Sequence, residues 1–296
     1  MIAIGIDIGG TFVKFIAADK NGKILKRHKM CTCQNQSAAR FLQQLAEVVN
    51  NWKKELKTKN TVIGIGMPGD TDNKKGILRW APNIPWGNLK VKETLAKKTG
   101  CKCFVSNDAN MAAWGVLAKE LKFKYKDIIV ITMGTGIGGG IITDGRLLQG
   151  AQGSAGEVGH MKIDFSAHAP LCGCGSRGCL EAFCGASALE RRGVPVKPLF
   201  DAAAKGDRAA LDLWHDIGVH LGRAIANLVL LLNPQAVVLA GGVSRGAKYF
   251  MGGVNEILKQ QSVKTPFKNL KILVSKTSDV GALGAALYAA AKNNEK

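Results

Sequence analysis

The sequence predicts an α/β protein built from two similar halves, and three observations carry that prediction. A short apolar strand, a turn of glycine and threonine, and a second strand occur near residue 10 and again near residue 135, which is a weak internal repeat. Segments with apolar residues at helical spacing lie between and after these strands. The chain of 296 residues is long enough to bury large cores in one or two domains.

In the first half, residues 2–8 and 13–18 are apolar runs, Asn21-Gly22 is a turn signal, and residues 23–29 make a third strand. Two strands joined by a glycine turn can cradle a phosphate with backbone N–H groups. Residues 37–56 set Phe41, Leu45, Val48, Val49 and Trp52 at helical spacing. A strand over 62–67 runs into Pro68-Gly69. Another over 104–106 runs into Asn107-Asp108-Ala109-Asn110, and helical composition resumes over 111–121. In the second half, a strand over 128–133 ends in the glycine turn 134–140, followed by residues 141–143 and the turn Asp144-Gly145. Residues 208–232 form a long apolar helix closing at Asn233-Pro234. Residues 236–240 are a buried strand before Gly241-Gly242, and 281–291 is a small-residue helix suited to close packing on a sheet.

Hydrophobic residues make up 46% of the chain and charged residues 21%, as in ordinary globular proteins. No run of eighteen apolar residues exists, so no membrane span is expected. The N-terminal residues lack the basic and long apolar regions of a signal peptide. Eight cysteines in a chain of this size point to a reducing cytoplasm rather than to disulfide staples. The net charge is +19, but the lysines are scattered and not interleaved with aromatics. That excludes a nucleic-acid reader and leaves a solvated surface, or a field that draws in anionic substrates such as ATP or polyphosphate.

The densest chemistry lies at Gly156-Glu157-Val158-Gly159-His160 and at Cys172-Gly173-Cys174-Gly175-Ser176-Arg177-Gly178-Cys179-Leu180-Glu181. His160, Cys172, Cys174 and Cys179 are a complete ligand set for a closed, structural zinc. Their spacing is not that of a zinc finger, so the metal would brace a loop. The alternative is four unrelated side chains; the glycines at turn positions in the same run argue against it. Cys31, Cys33, Cys101 and Cys103 could form a second metal site, though buried inert thiols fit them better, and Cys184 likewise. Three glycine-rich turns, at 7–11, 134–140 and 241–242, each follow an apolar strand, and together they point to a nucleotide site. None has the Lys-Ser or Lys-Thr ending of a P-loop, and none is a dinucleotide fingerprint. Asp108 reads either as a helix N-cap or as a general base.

These motifs resemble the ROK family of sugar kinases and sugar-responsive repressors, and within it most of all the bacterial glucokinases. The resemblance spans the chain from Asp7 to the helix over 281–291. It implies the actin-like (ribonuclease H-like) ATPase fold, with two α/β domains around a cleft. The first would hold residues 1–110 with 280–296, and the second residues 111–279 with the zinc site. It implies ATP-dependent phosphoryl transfer to the 6-hydroxyl of glucose, with Asp108 as general base. Gly69, Asn83, Asn107, Glu157, His160 and Glu181 would contact the sugar. Asp7, Gly9, Gly10, Thr11 and Lys14 match the phosphate and magnesium region. Gly134, Thr135, Gly136, Gly138 and Gly139 would line the phosphates, and Gly241 and Gly242 would pass the adenosine. His160 would offer one ring nitrogen to zinc and the other to the sugar.

Another acceptor hexose, such as N-acetylmannosamine, N-acetylglucosamine, mannose or allose, is the alternative kinase reading. A sugar-sensing regulator is the alternative of another class; such repressors carry a helix-turn-helix before the Asp-Ile-Gly-Gly-Thr motif, which here begins at residue 7. Polyphosphate-using relatives generally lack the cysteine block. A homo-oligomer, dimer or tetramer, is expected.

Overall fold

Strand β1 (Ile2–Ile8) is buried along nearly its whole length, as the central strand of a sheet covered on both faces must be. A computed structural model describes residues 1–19, 21–32, 35–81, 83–277 and 279–295. The chain divides into two units: residues 1–124, 147–155 and 277–296 form the first, and residues 125–146 and 156–276 the second.

In the first unit, β1 pairs antiparallel with β2 (Phe12–Asp19), which pairs antiparallel with β3 (Ile24–Cys31). On its other side β1 runs parallel to β4 (Thr61–Met67), and β4 to β7 (Lys102–Asn107), giving the order β3-β2-β1-β4-β7. Helix α1 (Ala38–Glu55) starts where the Ser37 hydroxyl accepts the Arg40 N–H at 3.2 Å. It buries Phe41, Leu45, Val49 and Trp52 on one sheet face, against Ile4, Ile6 and Ile63. A hairpin of β5 (Asp70–Asp72) and β6 (Ile77–Trp80) and helix α2 (Val91–Thr99) complete that side.

Helix α9 (Val280–Asn294) covers the opposite face through Ala282, Leu283, Ala286 and Ala289. Gly5 and Gly64 are register partners directly beneath it. A Cβ on Gly5 would stand 1.8 Å from the Ala282 carbonyl oxygen, and one on Gly64 the same distance from that of Ala285. The small residues of α9 and this pair of glycines thus let backbone lie on backbone. Helix α3 (Asp108–Gly115) packs beside α9, and a Cβ on Gly284 would fall 1.8 Å from the Met111 carbonyl oxygen. That contact carries the first unit past residue 110.

The second unit repeats the plan. Strand β8 (Ile128–Met133) pairs antiparallel with β9 (Ile137–Thr143) and parallel with β11 (Ala236–Ala240), which runs parallel to β12 (Lys271–Val274). With β10 (Arg146–Leu147) the order is β10-β9-β8-β11-β12. Helices α4 (Leu180–Cys184), α5 (Ala186–Arg191), α6 (Val196–Ala204), α7 (Arg208–Leu232) and α8 (Ala247–Lys259) complete it. The Asp207 carboxylate caps α7 by accepting the Ala210 N–H at 2.8 Å, and Asn233 ends it at φ 44° ahead of Pro234. Both ends agree with the helix expected over 208–232.

Two expectations change. The helix expected over 111–121 begins at Asp108 and passes into a π turn over Val116–Glu120, because Asn107 supplies the cap. The glycine turn expected over 134–140 ends at Gly136, and Gly138, Gly139 and Gly140 belong to β9. Among the described residues no helix is long and apolar enough to cross a membrane.

Candidate functional site

In the first unit, the predicted residues collect at the carboxyl ends of the parallel strands β1, β4 and β7, the edge where open α/β sheets bind ligands. Asp7 is the register partner of Gly66 on β4, and Gly66 of Ser106 on β7. The turn after β1 is closed by the Gly9 N–H on the Phe12 carbonyl at 3.0 Å and by the Thr32 hydroxyl on the Gly9 carbonyl at 2.6 Å. A Cβ on Gly10 would lie 2.5 Å from that of Asn83, so this turn meets the predicted Asn83 directly. Lys14 is the cross-strand partner of Asp7, and its ammonium pairs with Asp279 at 3.1 Å. Burial raises the Asp7 carboxyl to about 6; Lys14 opposes that shift and Asp279 adds to it.

Asn107 and Asp108 follow β7 directly. The Asn107 side-chain oxygen accepts the N–H of Ala109 at 2.9 Å and of Asn110 at 3.4 Å, and is the N-cap. Asp108 is therefore the first residue of α3 rather than its cap, and its Oδ1 also accepts the Ala109 N–H at 2.8 Å. A Cβ on Gly66 would lie 3.3 Å from the Asp108 Cα, which sets Asp108 against the end of β4. Gly69 takes φ 67° in the turn beyond β4, against the Trp80 carbonyl.

In the second unit, the Gly134 N–H reaches the Gly136 carbonyl at 2.9 Å, forming a tight turn at the end of β8. The N–H groups of Ala186 and Ser187 donate to the carbonyls of Gly134 and Thr135, at 3.0 and 2.9 Å. Glu181 joins this turn: its Oε2 accepts the Ile137 N–H at 2.9 Å, and a Cβ on Gly136 would lie 2.2 Å from the same oxygen. Gly241, at φ 100°, lies against the Met133 carbonyl, which brings Gly241-Gly242 beside Gly134. Gly138 and Gly139 lie on β9 beyond the turn. A Cβ on Gly139 would meet the Gly156 carbonyl oxygen at 2.5 Å, so that glycine admits the segment carrying Glu157 and His160.

The ligating atoms of His160, Cys172, Cys174 and Cys179 all lie within 4.8 Å of one another. His160 Nδ1 faces Cys172 Sγ at 3.8 Å, and Cys174 Sγ faces Cys179 Sγ at 3.8 Å. The Nε2 of His160 turns toward the Glu157 carboxylate, 4.0 Å away. The cysteine loop is shaped by its own backbone, with the Cys172 N–H on the Ser176 carbonyl at 2.7 Å and the Gly175 N–H on the Cys172 carbonyl at 3.0 Å. Burial pushes the Cys172 thiol up to about 12 and raises that of Cys179. For Cys174 burial acts the same way, but hydrogen bonds from the Ser176 backbone and the Cys172 and Cys179 thiols overcome it and leave that thiol lowered to about 7. Three sulfurs and an imidazole nitrogen converging this closely fit a tetrahedral Zn²⁺, whose charge stabilises the thiolates that burial opposes.

Among the described residues this is the only such ligand group. Cys33 of the alternative four-cysteine site lies outside the described residues, and burial pushes the Cys103 thiol up to about 12. Burial also pushes Cys184 to about 12, in keeping with an inert thiol. Sequence reasoning missed Asp279, which reads as an ordinary residue before a helix, and the Ala186 and Ser187 amides, which carry no side-chain signature.

Three comparisons bear on this arrangement. The chain is 34% identical to the glucokinase of Thermotoga maritima, over 96% of this chain and 95% of that protein. It is 30% identical to the xylose repressor of Caldicellulosiruptor bescii over 93% of its own length and 74% of the repressor's. The crystal structure of a ROK family glucokinase from Streptomyces griseus, in complex with glucose and AMPPNP, superposes with a TM-score of 0.83 at 29% identity, over 98% of this chain and 99% of that one. The two sheets with their helices are the actin-like ATPase fold. The ROK family model matches residues 3–292, and with the glycine turns and the Cys–His knot in place the chain belongs to the ROK family.

Proposed function

We propose that the chain is an ATP-dependent hexose kinase that transfers the γ-phosphoryl group of ATP to the 6-hydroxyl of glucose. The observation that carries this reading is the position of Asp108. It opens α3 on the same strand edge as Asp7 and the Gly9–Thr11 turn, with Asn107 rather than Asp108 serving as the helix cap. In the reaction, the 6-hydroxyl gives its proton to an Asp108 oxygen while its own oxygen attacks the γ-phosphorus and ADP departs. A sugar hydroxyl is a weak nucleophile until that proton has a destination.

The Gly9–Thr11 turn and the Gly134–Gly136 turn line the phosphates, close approach being possible where no Cβ intervenes, and Gly241-Gly242 borders the adenosine. Magnesium, when bound, neutralises phosphate charge; Asp7 suffices to hold it, since the ion keeps most of its waters. Lys14, whose ammonium pairs with Asp279 at 3.1 Å, adds a phosphate contact through its remaining N–H donors. Glu157, His160, Glu181, Asn107, Asn83 and Gly69 hold the sugar, carboxylates and amides being matched to hydroxyls that both donate and accept. His160 Nδ1 and the three cysteines would hold zinc, which would fix the tautomer and aim of the imidazole. A reducing cytoplasm suits the thiolates, and a homo-oligomer, dimer or tetramer, is the expected assembly.

The test is ADP formation from magnesium-ATP with glucose, mannose, allose, N-acetylglucosamine and N-acetylmannosamine. The highest kcat/KM with glucose is expected. A preference for an acetamido sugar would keep the chemistry and change the acceptor, and no turnover with any hexose would contradict the reading.

A further inference from the structure

Trp80 is the exposed member of the five tryptophans. Its side chain is 60% exposed, whereas Trp52, Trp114 and Trp214 are buried, and Trp86 stacks on Phe41 and donates its Nε1–H to the Gln36 carbonyl. Among the described residues the Trp80 indole pairs with no ring and makes no hydrogen bond. Its neighbours Leu78 and Ala81 are 0% and 2% exposed, so the hairpin puts an aromatic surface into water between two core residues. A single exposed apolar residue needs no explanation of its own. Here the surroundings supply one.

Trp80 ends β6 opposite Asp70, and its carbonyl lies where a Cβ on Gly69 would fall within 2.5 Å. Three residues on, Asn83 meets the Gly10 turn. The indole is therefore carried on backbone that also holds two candidate sugar contacts. The hairpin is braced by Arg79, whose Nη1 and Nη2 reach Asp70 at 2.9 Å and Asp72 at 3.2 Å. An exposed aromatic side chain on the backbone that carries hydroxyl-binding candidates offers a platform for a pyranose ring. The ring's axial C–H bonds are weakly positive and lie well on the electron-rich indole face.

We propose that Trp80 is a specificity-determining residue of the acceptor site, stacking on one face of the bound hexopyranose. The assignment rests on the hexose-kinase reading. It makes Trp80 select sugars whose stacked face carries only axial hydrogens, as both faces of the β-anomer of glucose do. Mannose carries an axial hydroxyl on one face and allose on the other, so one of the two epimers is held off the indole.

The experiment compares wild type, Trp80→Ala and Trp80→Phe in two readouts. The first is steady-state kinetics with glucose, mannose, allose and ATP. The second, independent of turnover, is iodide quenching of tryptophan fluorescence with and without glucose. We expect Trp80→Ala to raise the KM for glucose roughly five- to tenfold, with kcat and the KM for ATP changed less than about twofold, and Trp80→Phe to recover most of the loss. Discrimination against one epimer should shrink, and glucose should shield wild type from iodide but not Trp80→Ala. Normal glucose turnover with an unchanged KM in Trp80→Ala and no shielding in wild type would overturn the assignment and leave the kinase reading standing. No turnover with any hexose, and no shielding by any, would overturn both.

Discussion

Asp7 is a carboxylate whose environment works against its charge. Its carboxyl is raised to about 6 from an ordinary value near 3.8. Such a group contributes stability in full below the unfolded value, where it is protonated in both states, and loses it as pH rises through about 6. Asp7→Asn, which never ionises, should thus be more stable than wild type at pH 7.5 and equal to it at about pH 3, below the unfolded value. The gain should be on the order of 1–2 kcal/mol, less than full linkage would give because Asp7 keeps a partly open face. Thermal melts at the two pH values check this, and weakened magnesium-nucleotide binding by the same variant would mark the lost stability as the cost of a functional charge. At this scale the sequence was most legible where ligands cluster locally: His160, Cys172, Cys174 and Cys179 lie within one short stretch and meet as expected. Less legible was the choice between cap and base at Asp108, because Asn107 and Asp108 are both good caps and only backbone geometry assigns that role to Asn107. The Glu181–Ile137 contact joins residues 44 apart and has no sequence signature.

Elements with strong periodicity or strong end signals were readable, and the rest were not. Helix α7 has a capping aspartate, a sustained apolar face and an Asn-Pro stop, and its ends fall where expected. The short helices α2, α4, α5 and α6 and the β5–β6 hairpin offer too few turns or residues for a period to emerge. The glycine run 134–140 looked like one long turn because glycine marks both turns and close approach; at Gly139 the second reason applies. The packing of α9 on the first sheet gives a direct test. Gly64→Ala places a methyl group 1.8 Å from a backbone carbonyl oxygen, which neither rotamer change nor side-chain movement can relieve. It should destabilise the fold by about 3 kcal/mol, read as a lowered denaturation midpoint with an unchanged denaturant slope. A midpoint equal to wild type would refute the close approach of α9.

For the whole molecule, the repeated strand–turn–strand pattern foretold two sheets of similar plan, and each unit holds a five-stranded sheet. The path of the chain between units was not legible. Residues 147–155 belong to the first unit while their neighbours on both sides belong to the second, and no shift in composition marks either crossing. Purified protein should contain about one zinc per chain, in keeping with a four-ligand closed site. Chelation should lower the melting temperature and raise the KM for the sugar more than that for ATP, since the knot carries His160 beside Glu157. Full activity and an unchanged melting temperature in zinc-free protein would count against the bracing role. The most direct test of the central claim is to measure glucose affinity by calorimetry and turnover by ADP formation in Asp108→Asn. Turnover reduced about 10²- to 10⁴-fold, with glucose affinity within about threefold of wild type, is the predicted result. Turnover close to wild type would contradict Asp108 as the base that accepts the 6-hydroxyl proton.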